Sequence, residues 1–407
     1  MSSMNIQDTD APAAAPGTEK AYAGQVSVPV FEVQALRESV VSAAGKTRDR
    51  SMDILKGILV LQMILCHCIQ FFGRDSRPVQ QQICDYINLT TFSGFFFAFG
   101  GSCWYAYFSK EFKKAAPRML KTALKCLAAF WLSSICYVGL VELDYYDPRV
   151  LRQILALEKY GGWSEFLASF AGVMIVGIAF FALFQKQNGY LMTACIAAGA
   201  LLTLIPYDKV TVPQAALFIG SAHYTTFPVF QYLFYFTAGI WFCRRRIVWD
   251  VRILAAAFVL TLPELVHYIR TGCLSGRFPP DLWFIAGAAL FLYLYFLLAH
   301  AIADRTGFGA GGERSERTAS PPANGKPPVP KLFLSKISCF LEDTGANAIY
   351  YLLISNLAIF AFSESSCKLR TFEFALEFYI ILMISACFLR RLVHGGNKAA
   401  VRSGSRR

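Results

Sequence analysis

Charged residues are scarce in this chain. Asp, Glu, Lys and Arg make up 16% of its 407 residues, whereas soluble domains contain about 25%. Hydrophobic residues reach 55%, and two long runs, 127–141 and 282–299, carry no charge at all. This shortage excludes an ordinary soluble globular protein. It predicts an all-α fold, a polytopic bundle of transmembrane helices.

Several motifs of soluble enzymes are also missing. We find no Gly-x-Ser-x-Gly turn, no phosphate-binding glycine loop and no hydrolase-like region after the last apolar run. No apolar signal segment follows the start, so we expect no cleaved signal peptide. The matching interrupted helices of inverted-repeat transporters are not found either. Any reaction must therefore use the membrane bundle itself.

The twelve cysteines lie mostly inside hydrophobic runs, where they behave as small apolar residues. Cys84, Cys273 and Cys367 are exceptions, in or near predicted external loops. A disulfide can join two of these three, and the sequence leaves all three pairings open.

Apolar stretches near 20 residues long predict about ten membrane spans. They are 54–72, 88–108, 119–141, 164–184, 190–206, 225–243, 251–269, 281–302, 344–363 and 372–390. Lys and Arg concentrate in alternate connections, which by the positive-inside rule places both termini in the cytoplasm of a protein of the inner membrane. The net charge of +12 follows this topology and does not form one stripe, so we expect a lipid bilayer and no nucleic acid as partner.

The composition divides the chain into three regions. Residues 1–47 are rich in Ala, Ser and Gly and predict a disordered cytoplasmic tail. Residues 48–395 form the transmembrane domain, interrupted at 303–331 by a Gly- and Pro-rich segment that predicts a flexible cytoplasmic linker. Residues 396–407 form a basic cytoplasmic tail.

The first span carries the sharpest candidate site. Lys56 and His67 are eleven residues apart, which places them on one helix face, separated by about 16 Å along the axis. The stripe through Lys56, Met63, His67 and Gln70 is the predicted cavity-facing side. An ionisable group within a span is a functional candidate, and histidine suits proton transfer. The alternative is a neutral histidine hydrogen-bonded between helices. The neighbouring cysteines diverge from His67 on a helix, so no metal site is expected.

This span resembles the opening of the membrane-bound acyltransferase family 3 and of its relatives of the heparan-alpha-glucosaminide N-acetyltransferase type. Those proteins begin with an Arg, then Asp-x-x-Arg-Gly and an apolar run that ends in His. Arg50 (or Arg48), Asp53, Lys56, Gly57 and His67 fill these positions, with Lys56 in place of the usual Arg. Four weaker elements follow in the family's order, at 95–101 (FFFAFGG), 227–233 (FPVFQYL), 277–282 (RFPPDL) and 345–350 (GANAIY).

The resemblance implies an enzyme that moves an acyl group, commonly acetyl, from cytoplasmic acyl-CoA to a glycan or glycolipid acceptor across the membrane. No permanently bound cofactor is expected, since the acyl-CoA is a substrate. The candidate catalytic residues are His67, Lys56 and Asp53, and the candidate substrate-binding residues include Arg50, Lys113, Arg118, Arg277 and Asn347. The alternative for the basic residues is plain positive-inside anchoring.

Further polar residues lie in or near other spans. Glu264 and His267 are three apart on one helix face and predict either a second acid–base pair or an ion pair at the kink of Pro263. His223 precedes a span at the outer surface, where it contacts the acceptor or is a plain loop histidine. Asn347 is expected to hydrogen-bond across helices.

A different class of function fits the same pattern. A proton-coupled transporter or flippase of a polar or lipid-linked solute would use His67 and Glu264 as a proton path. A family member without activity that binds a partner is a third interpretation, favoured by Lys56 and Gly100 at positions where the family has Arg and Ser.

Overall fold

The computed structural model describes residues 49–73, 77–143, 147–306, 329–363 and 371–404. These ranges are helical, without a β-strand. The helices are α1 (Arg50–Phe72), α2 (Pro78–Cys103), α3 (Phe112–Tyr137), α4 (Pro148–Leu155), α5 (Glu165–Ala179), α6 (Phe181–Gln185), α7 (Gly189–Leu202), α8 (Pro213–Ile219), α9 (Val229–Arg245), α10 (Val251–Thr271), α11 (Leu282–Gly287), α12 (Ala289–Arg305), α13 (Val329–Ala346), α14 (Ala348–Ser363) and α15 (Phe372–Gly404). Two π-helical turns, Trp104–Phe108 and Val138–Glu142, extend α2 and α3.

Five helical segments are long and apolar enough to cross a membrane, or six if one bent pair counts as a single span. The five are Arg50–Phe72, Phe112–Glu142, Val251–Thr271, Leu282–Arg305 and Phe372–Leu392. Each of the ten predicted spans falls on a helix, but α5 and α7 are only 15 and 14 residues long. The multi-pass helical character is thus confirmed, while the count of ten and the placement of the termini stay predictions.

Large apolar side chains are exposed along the outer faces of α10 and α15. Val259 and Ile269 on α10, and Ile381 and Ile384 on α15, each expose more than half of their surface. Water would make such faces costly, whereas lipid tails would not. These faces are the parts of the bundle best suited to contact a bilayer.

Helix α1 lies inside the bundle and contacts α2, α12, α13, α14 and α15. Its start is capped by Asp49, whose carboxylate accepts a hydrogen bond from the Ser51 amide at 2.9 Å. Most of its side chains are buried, including Leu55, Leu59 and Ile64. The buried polar groups of α1 must therefore find partners inside the protein.

Glycines let the central helices touch backbone to backbone. A Cβ atom added to Gly57 would collide with the Leu341 carbonyl, and one added to Gly345 with the Asp53 carbonyl. Helices α2 and α9 are equally close: a Cβ atom added to Gly100 would collide with the Phe236 carbonyl, and one added to Gly239 with the Phe97 carbonyl. Small residues at such crossings are how membrane helices approach closely. This packing explains the glycine at position 100.

The segment predicted as a span at 344–363 begins at a bend. Helices α13 and α14 meet at an angle of 82° around Asn347. The Asn347 side chain donates to the Asp343 carbonyl, 2.8 Å away on its own segment, which also accepts from the Asn347 backbone amide at 3.2 Å. The prediction of a hydrogen bond from Asn347 across helices is therefore wrong.

Three further predictions concern connections and cysteines. Helix α12 continues to Arg305 and α13 begins at Val329, so both ends of the predicted linker 303–331 are helical. Residues 307–328 and the tail 1–47 lie outside the described ranges. The backbone of α15 runs on to Gly404, within the predicted tail 396–407. Cys84 and Cys273 are both free, so that pairing is absent, and Cys367 lies outside the described residues.

The α1–α13 contact gives a stability test. Gly345→Ala should destabilise the protein by about 1–3 kcal/mol, because a methyl group cannot fit against the Asp53 carbonyl without moving α1. Gly189→Ala is the matched control, since a Cβ there meets nothing within 4 Å. Thermal unfolding of both variants in detergent checks this, and equal midpoints would contradict the described packing.

Candidate functional site

His67 lies in the last third of α1 and is 8% exposed. Its Nδ1 atom is 3.0 Å from Oδ1 of Asn356 on α14. The indole ring of Trp163 meets the imidazole edge to face, with ring centroids 5.0 Å apart. The histidine is thus held by one hydrogen bond and one aromatic contact from different parts of the chain.

A chain of hydrogen bonds continues behind Asn356. Its Nδ2 donates to the Ser164 hydroxyl at 2.9 Å, and that hydroxyl lies 2.5 Å from Ser133 Oγ and 3.0 Å from the Gly162 carbonyl. Because a carbonyl only accepts, Ser164 can donate to Gly162 while it accepts from the Asn356 amide. The amide nitrogen is thereby turned toward Ser164 and the amide oxygen toward His67. A neutral His67 then carries its proton on Nδ1 and keeps a free lone pair on Nε2.

The segment before α5 reaches the histidine through an uncommon backbone conformation. Gly162 and Trp163 both have positive φ values, 81° and 56°. A tryptophan in the left-handed region is unfavourable, and such conformations persist where surrounding contacts enforce them. Here Ser133 donates to the Gly162 carbonyl at 3.1 Å, and the Trp163 ring packs on Phe71 at 4.7 Å. These contacts aim Trp163 at His67.

A cavity of about 220 Å³ opens beside the histidine. It lies at the C-terminal end of α1 and takes side chains from α1, α2, the start of α5 and the segments that precede α5, α9 and α11. The lining residues are Met63, Cys66, His67, Gln70, Ile87, Asn88, Thr91, Phe92, Trp163, Glu165, Thr225, Phe227, Arg277 and Phe278. The predicted stripe is confirmed for Met63, His67 and Gln70, while Lys56 lies outside the cavity.

Arg277 brings a positive charge to this cavity. Its guanidinium carbon lies 5.7, 5.8 and 4.6 Å from the ring centroids of Phe92, Phe227 and Phe278. Burial lowers the pKa of this guanidinium, while the nearby Cys66, Tyr232, Glu165 and Asp85 act in the opposite direction. No carboxylate of the described residues forms an ion pair with it, and its Nε is buried without a hydrogen-bond partner.

Glu264 and His267 do not form the predicted pair in the described structure. The Glu264 carboxylate accepts from the Ser275 amide at 3.0 Å and from the Ser275 hydroxyl at 2.5 Å. Ser275 also donates to Asp281, which caps the start of α11 through the Phe284 amide. Glu264 therefore braces the turn that carries Arg277, and His267 lies half-buried outside the cavity.

The other predicted charged residues cluster at the opposite end of α1. The Lys56 ammonium lies 2.7 Å from the Asp53 carboxylate, three residues earlier on the same helix. Arg50 donates to Glu342 on α13 at 2.8 Å. Lys113 and Arg118 are exposed at the start of α3, with Arg118 over the Tyr107 ring. These residues lie away from His67.

His223 is an exposed loop residue whose Nε2 donates to the Asp208 carbonyl at 2.8 Å. It does not line the cavity, and neither does Asn347. The sequence reasoning overlooked Asn356, Trp163, Ser164 and Glu165. Of these four residues, only Asn356 could have been found from the sequence. It is an amide side chain within an apolar helix, and such a side chain must form a hydrogen bond inside a membrane bundle.

No group of three or more His, Cys, Asp or Glu side chains suited to a metal ion occurs within the described ranges. Comparison with protein-family models, with curated proteins and with solved structures finds no match for this chain. The assignment of a function therefore depends on the motifs and on the geometry around His67.

The hydrogen-bond chain predicts the tautomer of His67. In protein labelled with ¹⁵N-histidine, the His67 signal should report a proton on Nδ1 and none on Nε2, because Asn356 Oδ1 accepts at the former. The signal is assigned by its loss in His67→Gln, among the five histidines of the chain. Asn356→Leu should remove the preference, and a proton on Nε2 in the wild type would contradict the described orientation of Asn356.

Proposed function

We propose that this protein is an integral membrane acyltransferase, most simply an O-acetyltransferase, that modifies a surface or periplasmic glycan or glycolipid. One observation carries the proposal: Nδ1 of His67 is engaged by Asn356, so its Nε2 is free beside a partly open cavity that an acceptor can enter. A positioned base within reach of a bound acceptor is what deprotonation of a hydroxyl requires. The order of the acyltransferase-like motifs supports the same class of reaction.

The proposed reaction uses His67 as a general base. The acceptor hydroxyl gives its proton to Nε2, and its oxygen forms a bond to the thioester carbonyl carbon of the acyl-CoA. The tetrahedral intermediate then loses CoA as its carbon–sulfur bond breaks, and the departing sulfur takes the proton back from the imidazolium. The acceptor ends as an ester, CoA as a free thiol and His67 as a neutral base.

The two ends of α1 suit different parts of this reaction. In the proposed topology, with ten spans and both termini in the cytoplasm of an inner-membrane protein, the Arg50–Lys56 end faces the cytoplasm and the cavity faces outward. Lys113 and Arg118, exposed near the first end, can attract the phosphates of acyl-CoA. The acceptor would enter at the outer end.

The transport alternative has weaker support. It used His67 and Glu264 as successive proton carriers, whereas the Glu264 carboxylate is occupied by Ser275 and does not line the cavity. A proton path between the two residues would need a further group that the described contacts do not supply.

The test is acyl transfer by the purified full chain in nanodiscs, with labelled acetyl-CoA and a bacterial glycan extract. His67→Gln should lower turnover by about 10²–10⁴-fold, the contribution expected of a positioned general base. His267→Gln is the matched control, a half-buried histidine outside the cavity, and should retain activity. Absence of turnover in the wild type, or equal loss in both variants, would overturn the proposal.

A further inference from the structure

Arg277 is a cation that forms no ion pair with any carboxylate of the described residues, although Glu165 lines the same cavity. Three phenylalanine rings surround its guanidinium, and cation–π contacts of this kind stabilise a charge only in part. A charge taken out of water normally acquires a carboxylate partner or is destabilising. Among the described residues the guanidinium has no such ion-pair partner.

Two buried polar atoms near this charge also lack hydrogen-bond partners. One is Nε of Arg277 itself, and the other is the hydroxyl of Tyr232, a side chain with no exposed surface that acts electrostatically on Arg277. Buried polar atoms without partners are rare in proteins and usually mark a missing water or ligand. The guanidinium Nε can only donate, so the group missing beside it is an acceptor, whereas the Tyr232 hydroxyl can donate or accept.

The turn that presents Arg277 is braced from several sides. Glu264 holds Ser275, Asp281 accepts from the Gly276 amide at 2.9 Å, and Arg277 forms an isolated β-bridge with Pro280. The braced turn fixes the backbone of Arg277, and the three phenylalanine rings limit the positions of its guanidinium. Restricting a group before a ligand binds is how a preorganised site gains affinity.

The remaining lining is uncharged apart from Glu165 and offers hydroxyl and amide groups. Gln70, Asn88, Thr91 and Thr225 can each bond a neutral hydroxyl group. The Glu165 carboxylate, which also lines the cavity, can accept a hydrogen bond from a hydroxyl group. A volume of 220 Å³ exceeds the roughly 150 Å³ that admits a six-membered ring such as benzene.

We infer that this cavity binds a sugar ring that bears an acidic group, a carboxylate or a phosphate, and that Arg277 holds that acidic group. The inference rests on the proposed function in naming this sugar as the acyl acceptor. The guanidinium fork pairs with either anion through two parallel hydrogen bonds, while the neutral lining residues bond the ring hydroxyls. The hydroxyl to be acylated then lies beside Nε2 of His67.

The experiment measures sugar binding without any acyl donor. Glucose, glucuronate and glucose 1-phosphate are titrated into the full chain in nanodiscs while quenching of Trp163 fluorescence is followed, with Trp163→Phe to identify that signal. We expect at least one acidic sugar to bind about tenfold or more tightly than glucose, the size of a charge-assisted contact. Comparison of the two acidic sugars distinguishes a carboxylate from a phosphate.

Variants of Arg277 connect this preference to one side chain. Arg277→Gln should abolish the preference for acidic sugars. Arg277→Lys keeps the charge and loses the planar fork, so it should retain part of this preference. Partial retention in Arg277→Lys also shows that loss in Arg277→Gln is not caused by misfolding. Arg270→Gln, an exposed arginine on α10, is the matched control. Equal binding of glucose and both acidic sugars, or a preference that survives Arg277→Gln, would overturn the inference.

The same samples separate this inference from the proposed function. An Arg277-dependent preference for acidic sugars without acetyl transfer to them would overturn the acyltransferase proposal and leave the anion site standing. Acetyl transfer to neutral and acidic sugars at equal rates, unchanged in Arg277→Gln, would overturn the anion site and leave the acyltransferase proposal standing.

Discussion

A histidine inside an apolar bundle has to satisfy its ring nitrogens within the protein, and the bond from His67 to Asn356 does this for one of them. That bond depends on Ser164, which turns the amide, and Ser164 depends on the Gly162 carbonyl. Four segments that are far apart in sequence thereby become tied to one imidazole. The cavity is the space left where these four segments meet, so the same contacts determine its shape and the side chains that line it.

Helix α1 keeps its charges at one end and its base at the other. Lys56 is neutralised by Asp53 within one turn, so it imposes no net charge on the interior. His67 lies about 16 Å further along, where its neighbours are aromatic and its polar partners neutral. Two charged side chains depart from this pattern in the cavity lining, Arg277 from a turn that reaches inward and Glu165 from the start of α5. The separation fits a reaction in which donor and acceptor approach from opposite sides.

The helices and the cavity-facing stripe of α1 could be predicted, because apolar length and the 100° turn per residue are local properties. The hydrogen-bond partner of His67 could not, since 289 residues separate it from Asn356 and only the packed bundle joins them. Helical spacing places Glu264 and His267 on one face. Such spacing shows that two side chains can come into contact, but it does not show that they do. Ser275, eleven residues later, offered Glu264 two donors from a turn.

Part of the cavity wall consists of irregular segments, as a concave site within a helical bundle requires. A regular helix satisfies its own backbone and leaves no concave surface. Concavity arises where a segment departs from the helix, as at the left-handed pair Gly162 and Trp163 or the braced turn at Arg277. Such departures are tolerated in a membrane protein only when surrounding side chains satisfy the freed backbone groups, as Ser133 does for Gly162. The side chains that build the cavity are therefore also those that make its irregular walls stable.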